Sequence, residues 1–128
     1  MERLPPQNIE AEAAVLGSIL IDPQALAVVA ELLRSDDFYR DGHRILFQAA
    51  LDLYAQGRPA DLVTLTDEIE RRGKLEQMGG ADYITMLVNV VPTSANVEHY
   101  AHIVERASVL RKLIHAAGQI AALAYTAD

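Results

Sequence analysis

SANVEHYAHIVERASVLRKLIHAAGQIAALAY, residues 94–125, is the stretch on which the fold turns. It holds no proline and one late glycine, Gly118. Pro92 precedes it, and Thr93 or Ser94 is placed to cap its first turn. Roughly 30 helical residues make a rod about 45 Å long, against about three turns for an average globular helix. Ile103, Ala107, Leu110, Ala117, Ile120 and Ala124 recur at 4-3-7-3-4 spacing and predict one apolar stripe, which Leu113 and Ile114 widen. After His115 no charge appears until Asp128, so the far half is apolar nearly all round. A helix of that kind must be covered. The near half is expected to be core and the far half an interface.

The 128 residues amount to one ordinary domain. A hydrophobic content of 51% is enough for a core without staples. With no cysteine, neither a disulfide nor a thiolate metal site is possible. That absence fits an intracellular protein. No apolar run approaches the roughly 18 residues needed to span a bilayer, and the polar start MERLPPQNIEAE is no signal peptide. The net charge of −7 makes the chain a poor binder of phosphate backbones and points to protein partners, a basic surface being favoured.

Leu4-Pro5-Pro6-Gln7 is an extended lead-in. Asn8 caps a first helix through Ile21, with Glu10 and Glu12 set for the helix dipole and Ile9, Ala13, Leu16 and Leu20 as its buried face. Asp22-Pro23 starts a second helix to about Arg34, burying Leu26, Val29 and Leu33. Phe38-Tyr39 plugs the core from a loop. Asp41 opens a third helix that stops at Gly57, with Ile45, Leu46, Ala49 and Leu53 inward. Thr64 and Asp67 form a capping-box-like pair for a short fourth helix ending at Gly73. Gly79-Gly80 makes a turn, and a fifth helix follows over residues 81–90. The expected fold is all-α: a head of about five short helices, residues 1–93, with a long helix, residues 94–128, leaving it. Tyr125 to the end supplies neither glycine nor proline, and Asp128 would oppose the dipole. The chain is therefore expected to continue, a frayed natural terminus being the alternative.

The sequence offers little chemistry. There is no G-x-x-x-x-G-K-[ST] phosphate loop and no G-x-S-x-G elbow. His99 and His102, flanked by Glu98 and Glu105, could point at a metal from one helix turn, but no Glu precedes either histidine by three and no second set exists. Solvated surface is their expected role, with Glu98 and His102 as an i,i+4 pair. The doublets Asp36-Asp37 and Arg71-Arg72 are expected in solvent. Tyr83 is either a core-edge tyrosine with a wet hydroxyl or an exposed anchor for a partner. Arg111 and Lys112 either snorkel along the apolar stretch or pair with acidic groups of a docked protein.

The run LPPQNIEAEAAVLGSILID, residues 4–22, resembles the start of the DnaB-type bacterial replicative helicases. So do DFYRDGHRILFQAALDLYAQGRPADLVTL (37–65), RRGKLEQMGGADYI (71–84) and VPTSANVEHYAHIVERASVLRKLI (91–114). The signatures PPQ-x-x-E-A-E-x-x-VLG and VPT-x-AN-x-x-x-YA-x-IV are specific, and the likeness covers essentially the whole chain.

This resemblance implies a scaffold and interaction domain that does no chemistry of its own. The family's ATP and Mg²⁺ sites and DNA-translocating loops lie in a C-terminal RecA-type motor, none of which is in these residues. It also implies a cytoplasmic protein and no membrane partner. The long helix would be the first arm of a helical hairpin through which such domains dimerise and build a collar on a hexameric ring, with Leu110, Leu113, Ala117, Ala121 and Ala124 toward that interface. The collar would recruit the helicase-binding domain of primase through Tyr83, Arg111, Ile114 and Ile120, and a helicase loader is a further candidate partner. Alternatives outside this class are a direct DNA-binding module and a metal-dependent helical enzyme.

Overall fold

The first helix, α1 (Ile9–Ile21), has no exposed face over most of its length: the ten residues from Ala11 to Leu20 are all buried. In a computed structural model, which describes residues 3–127, α1 is the central rod of the head. Around it pack α2 (Ala25–Leu32), α3 (Asp41–Ala55), α5 (Gly80–Leu87) and α6 (Val97–Thr126), while α4 (Leu62–Arg71) lies outside against α3 and α5. The described residues form helices, turns and loops with no strand, as the sequence predicts. The 4-3-4 face expected on α1 is too narrow. A helix apolar all round is enclosed rather than half-buried, and α1 is short of charge after Glu12.

The start and stop signals hold with local shifts. The Asn8 carboxamide accepts from the Ala11 amide at 2.9 Å. Asp22-Pro23 forms a turn ahead of α2, with the Ala25 amide bonding the Asp22 carbonyl at 2.9 Å, so the helix starts at Ala25 and ends at Leu32. Leu33 is already extended but still buried. The cap of α4 is Asp61, which accepts from the Thr64 amide at 2.8 Å, three residues before the expected pair. Thr64 takes part through its backbone.

Neither Thr93 nor Ser94 caps α6. The Thr93 hydroxyl accepts from the Ala95 amide at 2.8 Å, and the Ser94 hydroxyl donates to Asp22 at 3.0 Å, tying the loop before α6 to the start of α2.

The core joins Val15, Leu16 and Ile19 of α1 to Leu26, Val29, Leu46, Phe47, Leu53, Leu65, Ile69, Ile84 and Leu87. Phe38 plugs it from the loop as expected, its ring 4.8 Å from that of Phe47. Each such side chain, fully buried, contributes about 1.5–3 kcal/mol.

The inward row of α6 is Val97, Ala101, Val104 and Ser108, one position off the predicted stripe. Ile103 and Ala107 are half-buried and Leu110 is exposed. The stripe was chosen on apolar residues alone, and the true row ends on a serine. Its near half is core, as expected.

Closeness has a cost at Gly17. A β-carbon there would lie 2.4 Å from the Leu87 carbonyl oxygen at the end of α5. Because that neighbour is backbone, α1 and α5 would have to separate. Gly17→Ala is expected to lower stability by about 1–3 kcal/mol, read as a lower midpoint in chemical denaturation at unchanged helix content.

Candidate partner-binding surface

Glu12 lies in the first turn of α1, as the dipole reading expects, yet its side chain is only 1% exposed, in the middle of the head. A buried carboxylate needs partners. Its Oε2 accepts from the Tyr39 amide at 2.7 Å, and its Oε1 faces the Arg40 amide at 3.4 Å and His43 Nδ1 at 2.8 Å. His43, on α3, is fully buried. Its Nε2 meets the Tyr83 hydroxyl of α5 at 2.5 Å, and that hydroxyl also accepts from the Arg40 guanidinium at 3.2 Å. Placing the ring proton on Nδ1 gives every group a partner: Arg40 donates to Tyr83, Tyr83 to His43, and His43 to Glu12.

Tyr83 therefore sits at the core edge, as one of its two expectations has it, but without the wet hydroxyl. It is half-buried, its hydroxyl is bonded rather than wet, and its ring stacks on His43 at 5.8 Å with Arg40 over it at 5.1 Å. Burial pushes its phenol above the usual value; the charge and hydrogen bond of Arg40 oppose the rise, and the Glu12 charge adds to it.

The same four-residue segment, 37–40, also holds the long helix. Asp37 is buried, against the expectation of a solvated doublet. It accepts from the Arg34 amide at 2.7 Å, the Ser108 hydroxyl at 2.6 Å and the Lys112 ammonium at 3.1 Å. Burial pushes the Asp37 carboxyl up, but the bonds from Ser108, Arg34 and Lys112, with the Lys112 charge, outweigh it and hold the group below the usual carboxylate value.

The Arg111 guanidinium donates to the carbonyls of Pro6 at 2.8 Å and Asp37 at 2.7 Å and lies 5.5 Å from the Tyr39 ring centre. Arg111 thus neither snorkels freely nor waits unpaired for an acidic partner: it fastens lead-in, loop and helix together. Arg72 of the second doublet is likewise engaged, with Glu68 at 2.7 Å and Asp52 at 2.9 Å, while Arg71 is exposed.

Beyond Arg111 the helix is bare. Leu113, Ile114 and Ile120 are 60%, 59% and 68% exposed, and Leu110, Ala117, Ala121 and Ala124 are exposed with them. Ile114 borders an apolar groove of about 660 Å³ between α6 and the lead-in, lined by Arg3, Leu4, Pro5, Pro6, Arg111 and His115. Tyr83 and Arg111 are joined through Tyr39 and Arg40, and Ile114 lies one turn on from Arg111. Ile120 stands roughly 13 Å past Arg111, at 1.5 Å per residue, and about 120° round the helix from Ile114. Three of the four predicted contact residues thus form a connected surface, with Ile120 apart.

His99 and His102 are exposed; His102 lies 3.7 Å from Glu98 and 3.3 Å from Glu105. Among the described residues no group of three or more His, Cys, Asp or Glu could hold a metal, and no helix is long and apolar enough to cross a membrane.

The family model for the DnaB-like helicase N terminal domain matches residues 4–106. The chain belongs to that family. It is 51% identical over 127 residues to the replicative DNA helicase DnaC of Bacillus subtilis (strain 168) and 50% identical to the replicative DNA helicase DnaB of Geobacillus stearothermophilus. It is covered over 99% of its length in both and spans 28% of each relative.

The crystal structure of the N-terminal domain of DnaB helicase from Mycobacterium tuberculosis matches at a TM-score of 0.92 and 45% identity, over 96% of this chain and 89% of that one. The N-terminal domain of DnaB helicase from Helicobacter pylori, described with its interactions with primase, matches at a TM-score of 0.77 and 25% identity, over 91% and 90%. The chain thus has the all-helical fold of the DnaB-like helicase N terminal domain.

Glu12, His43, Asp37 and Tyr39 support this surface from beneath, and the sequence does not mark them as a group. For Glu12 a signal exists: it is the one charge in the run from Ala11 to Ile21, in which Ser18 is the only other polar side chain. Nothing comparable marks His43.

The Asp37 carboxyl ties pH to stability. A folded-state value below the unfolded one contributes stability above about pH 4 that is lost as pH falls through the folded value. Asp37→Asn is expected to cost about 1–3 kcal/mol at neutral pH. Its deficit against the parent chain should shrink as pH drops below about 4, measured by urea denaturation across pH.

Proposed function

We propose that this domain is the scaffold and interaction module of a replicative DNA helicase: it pairs with copies of itself and recruits primase during DNA replication. The observation that carries the proposal is the bare far half of α6, a rigid helix fixed to the head at Arg111 yet showing two apolar rows. One row is Leu113, Ala117, Ile120 and Ala124, and the other is Leu110, Ile114 and Ala121. A two-helix hairpin cannot cover both rows completely, so part of this apolar surface is free for another partner. The primase interaction described for the Helicobacter pylori neighbour supports that second use.

In this reading α6 is the first arm of a helical hairpin, and paired hairpins build a collar on a hexamer. Tyr83, Arg111, Ile114 and Ile120 face primase, whereas Leu110, Leu113, Ala117, Ala121 and Ala124 face the oligomer. A helicase loader would use the same exposed collar. In this reading ATP, Mg²⁺ and most DNA contact belong to a C-terminal motor, in keeping with a sequence that carries no G-x-x-x-x-G-K-[ST] run. The net charge of −7 disfavours direct DNA binding by this domain. Work on replicating DNA would place the protein in the cytoplasm.

Ile114→Asp or Ile120→Asp is expected to weaken primase binding while circular dichroism and the melt stay native. An aspartate in a desolvated contact costs roughly several kcal/mol, against about 0.5 kcal/mol or less on solvated helix. Tyr83→Ala should act the same way but more weakly. Normal titrations by both aspartate variants against the helicase-binding domain of primase would remove α6 as the docking surface.

Self-pairing is tested separately. Light scattering of the chain should give a mass above the monomer, reduced by Leu113→Asp. A monomer at all concentrations would confine assembly to other parts of the helicase.

A further inference from the structure

Tyr83 is an interfacial side chain with an internal tether. Its hydroxyl is held by His43, which is fully buried, and His43 is oriented by Glu12, which is almost fully buried. The Glu12 carboxylate needs the His43 Nδ1 proton, but the bond from the second ring nitrogen to Tyr83 goes beyond what that carboxylate demands. The three side chains come from α1, α3 and α5, and the chain of bonds ends at the surface under the Arg40 guanidinium. Arg40 follows Tyr39, whose ring meets Arg111 of the long helix. The buried end of the relay thus sets the position of one half-buried aromatic and, through two adjacent residues, its spacing from α6.

We propose that His43, oriented by Glu12, is a positioning residue of the partner surface: it fixes the Tyr83 ring in the pose and distance from α6 that primase meets. This rests on Tyr83 belonging to the primase contact. His43 touches no partner itself. It acts by keeping Tyr83 from sampling other rotamers, so that the ordering cost is met in the free domain rather than on binding.

The geometry predicts non-additivity. Tyr83→Phe keeps the ring and cuts it from His43 and Arg40, and His43→Asn shortens the side chain away from the hydroxyl. Each is expected to weaken binding of the primase helicase-binding domain about tenfold, the scale of one lost hydrogen bond, in calorimetric titrations of the full 128-residue chain. The double variant should be no weaker than either single one, because both remove the same tether. Val29→Ala, which lowers stability from α2, a helix that carries no member of the relay, should bind like the parent and so separates positioning from loss of stability.

Parent-like binding by His43→Asn, or additive losses in the double variant, overturns the proposal. Should His43→Asn fail to melt cooperatively, Tyr83→Phe decides: parent-like affinity overturns the positioning role, and a tenfold loss supports it. Tyr83→Ala separates the two levels. If it binds primase normally, the assignment of Tyr83 to the contact falls, and this inference with it. If it binds weakly while His43→Asn and Tyr83→Phe bind normally, only the positioning role falls.

Discussion

A carboxylate that cannot reach water governs the head of this domain. Glu12 sits on a helix enclosed by four others, and charge in such a place is tolerated only with its hydrogen bonds complete. Meeting that demand brings the amides of Tyr39 and Arg40, the ring of His43 and, through it, the hydroxyl of Tyr83 to one point. The loop between α2 and α3 is thereby pinned to α1, and α5 is pinned to α3. Among the described residues no buried side-chain nitrogen or oxygen is left without a hydrogen-bond partner. Removing one member of such a network costs more than the bond it made, because the partner stays buried and unpaired.

A second polar junction decides where the long helix stops being core. Asp37 collects Ser108 and Lys112, and Arg111 takes the carbonyls of Pro6 and Asp37. Up to that point α6 packs against α1, α2 and the 3-10 turn at residues 35–37. Past it the helix keeps its hydrogen bonds but loses its neighbours, apart from the lead-in beside Ile114 and His115. The two junctions share residues 37–40, so the half-buried Tyr83 of the head and the root of the bare helix are set by one short segment. A partner that spans both meets a preformed spacing.

Periodicity and punctuation predict the architecture well because they report local physics. Asn8 before a helix, Gly57 and Gly73 after one, and apolar residues at helical spacing act over a few residues; the structure places the caps and stops as expected and shifts the apolar row of α6 by one position. The bare far half of α6 was legible for the same reason: a run without charge or partner in a short chain cannot be covered from within. The polar residues were not legible. Asp37 reads as half of a solvated doublet, Glu12 shows only its match to the helix dipole, and Arg111 reads either as snorkelling or as paired with acidic groups of a docked protein. A charge in a sequence carries no record of what it faces.

The chain order of apolar and turn residues therefore determined by itself an all-helical head with a long helix leaving it, because helix formation and amphipathic burial are governed by neighbours within about four positions. Only the tertiary structure decided which acids and bases are internal. The pairs that hold the domain join residues far apart in sequence, Glu12 with His43 and Tyr83, and Asp37 with Ser108 and Lys112. Burial turns these groups from solvated surface into obligatory partners, and burial is a property of the packed helices rather than of any one segment.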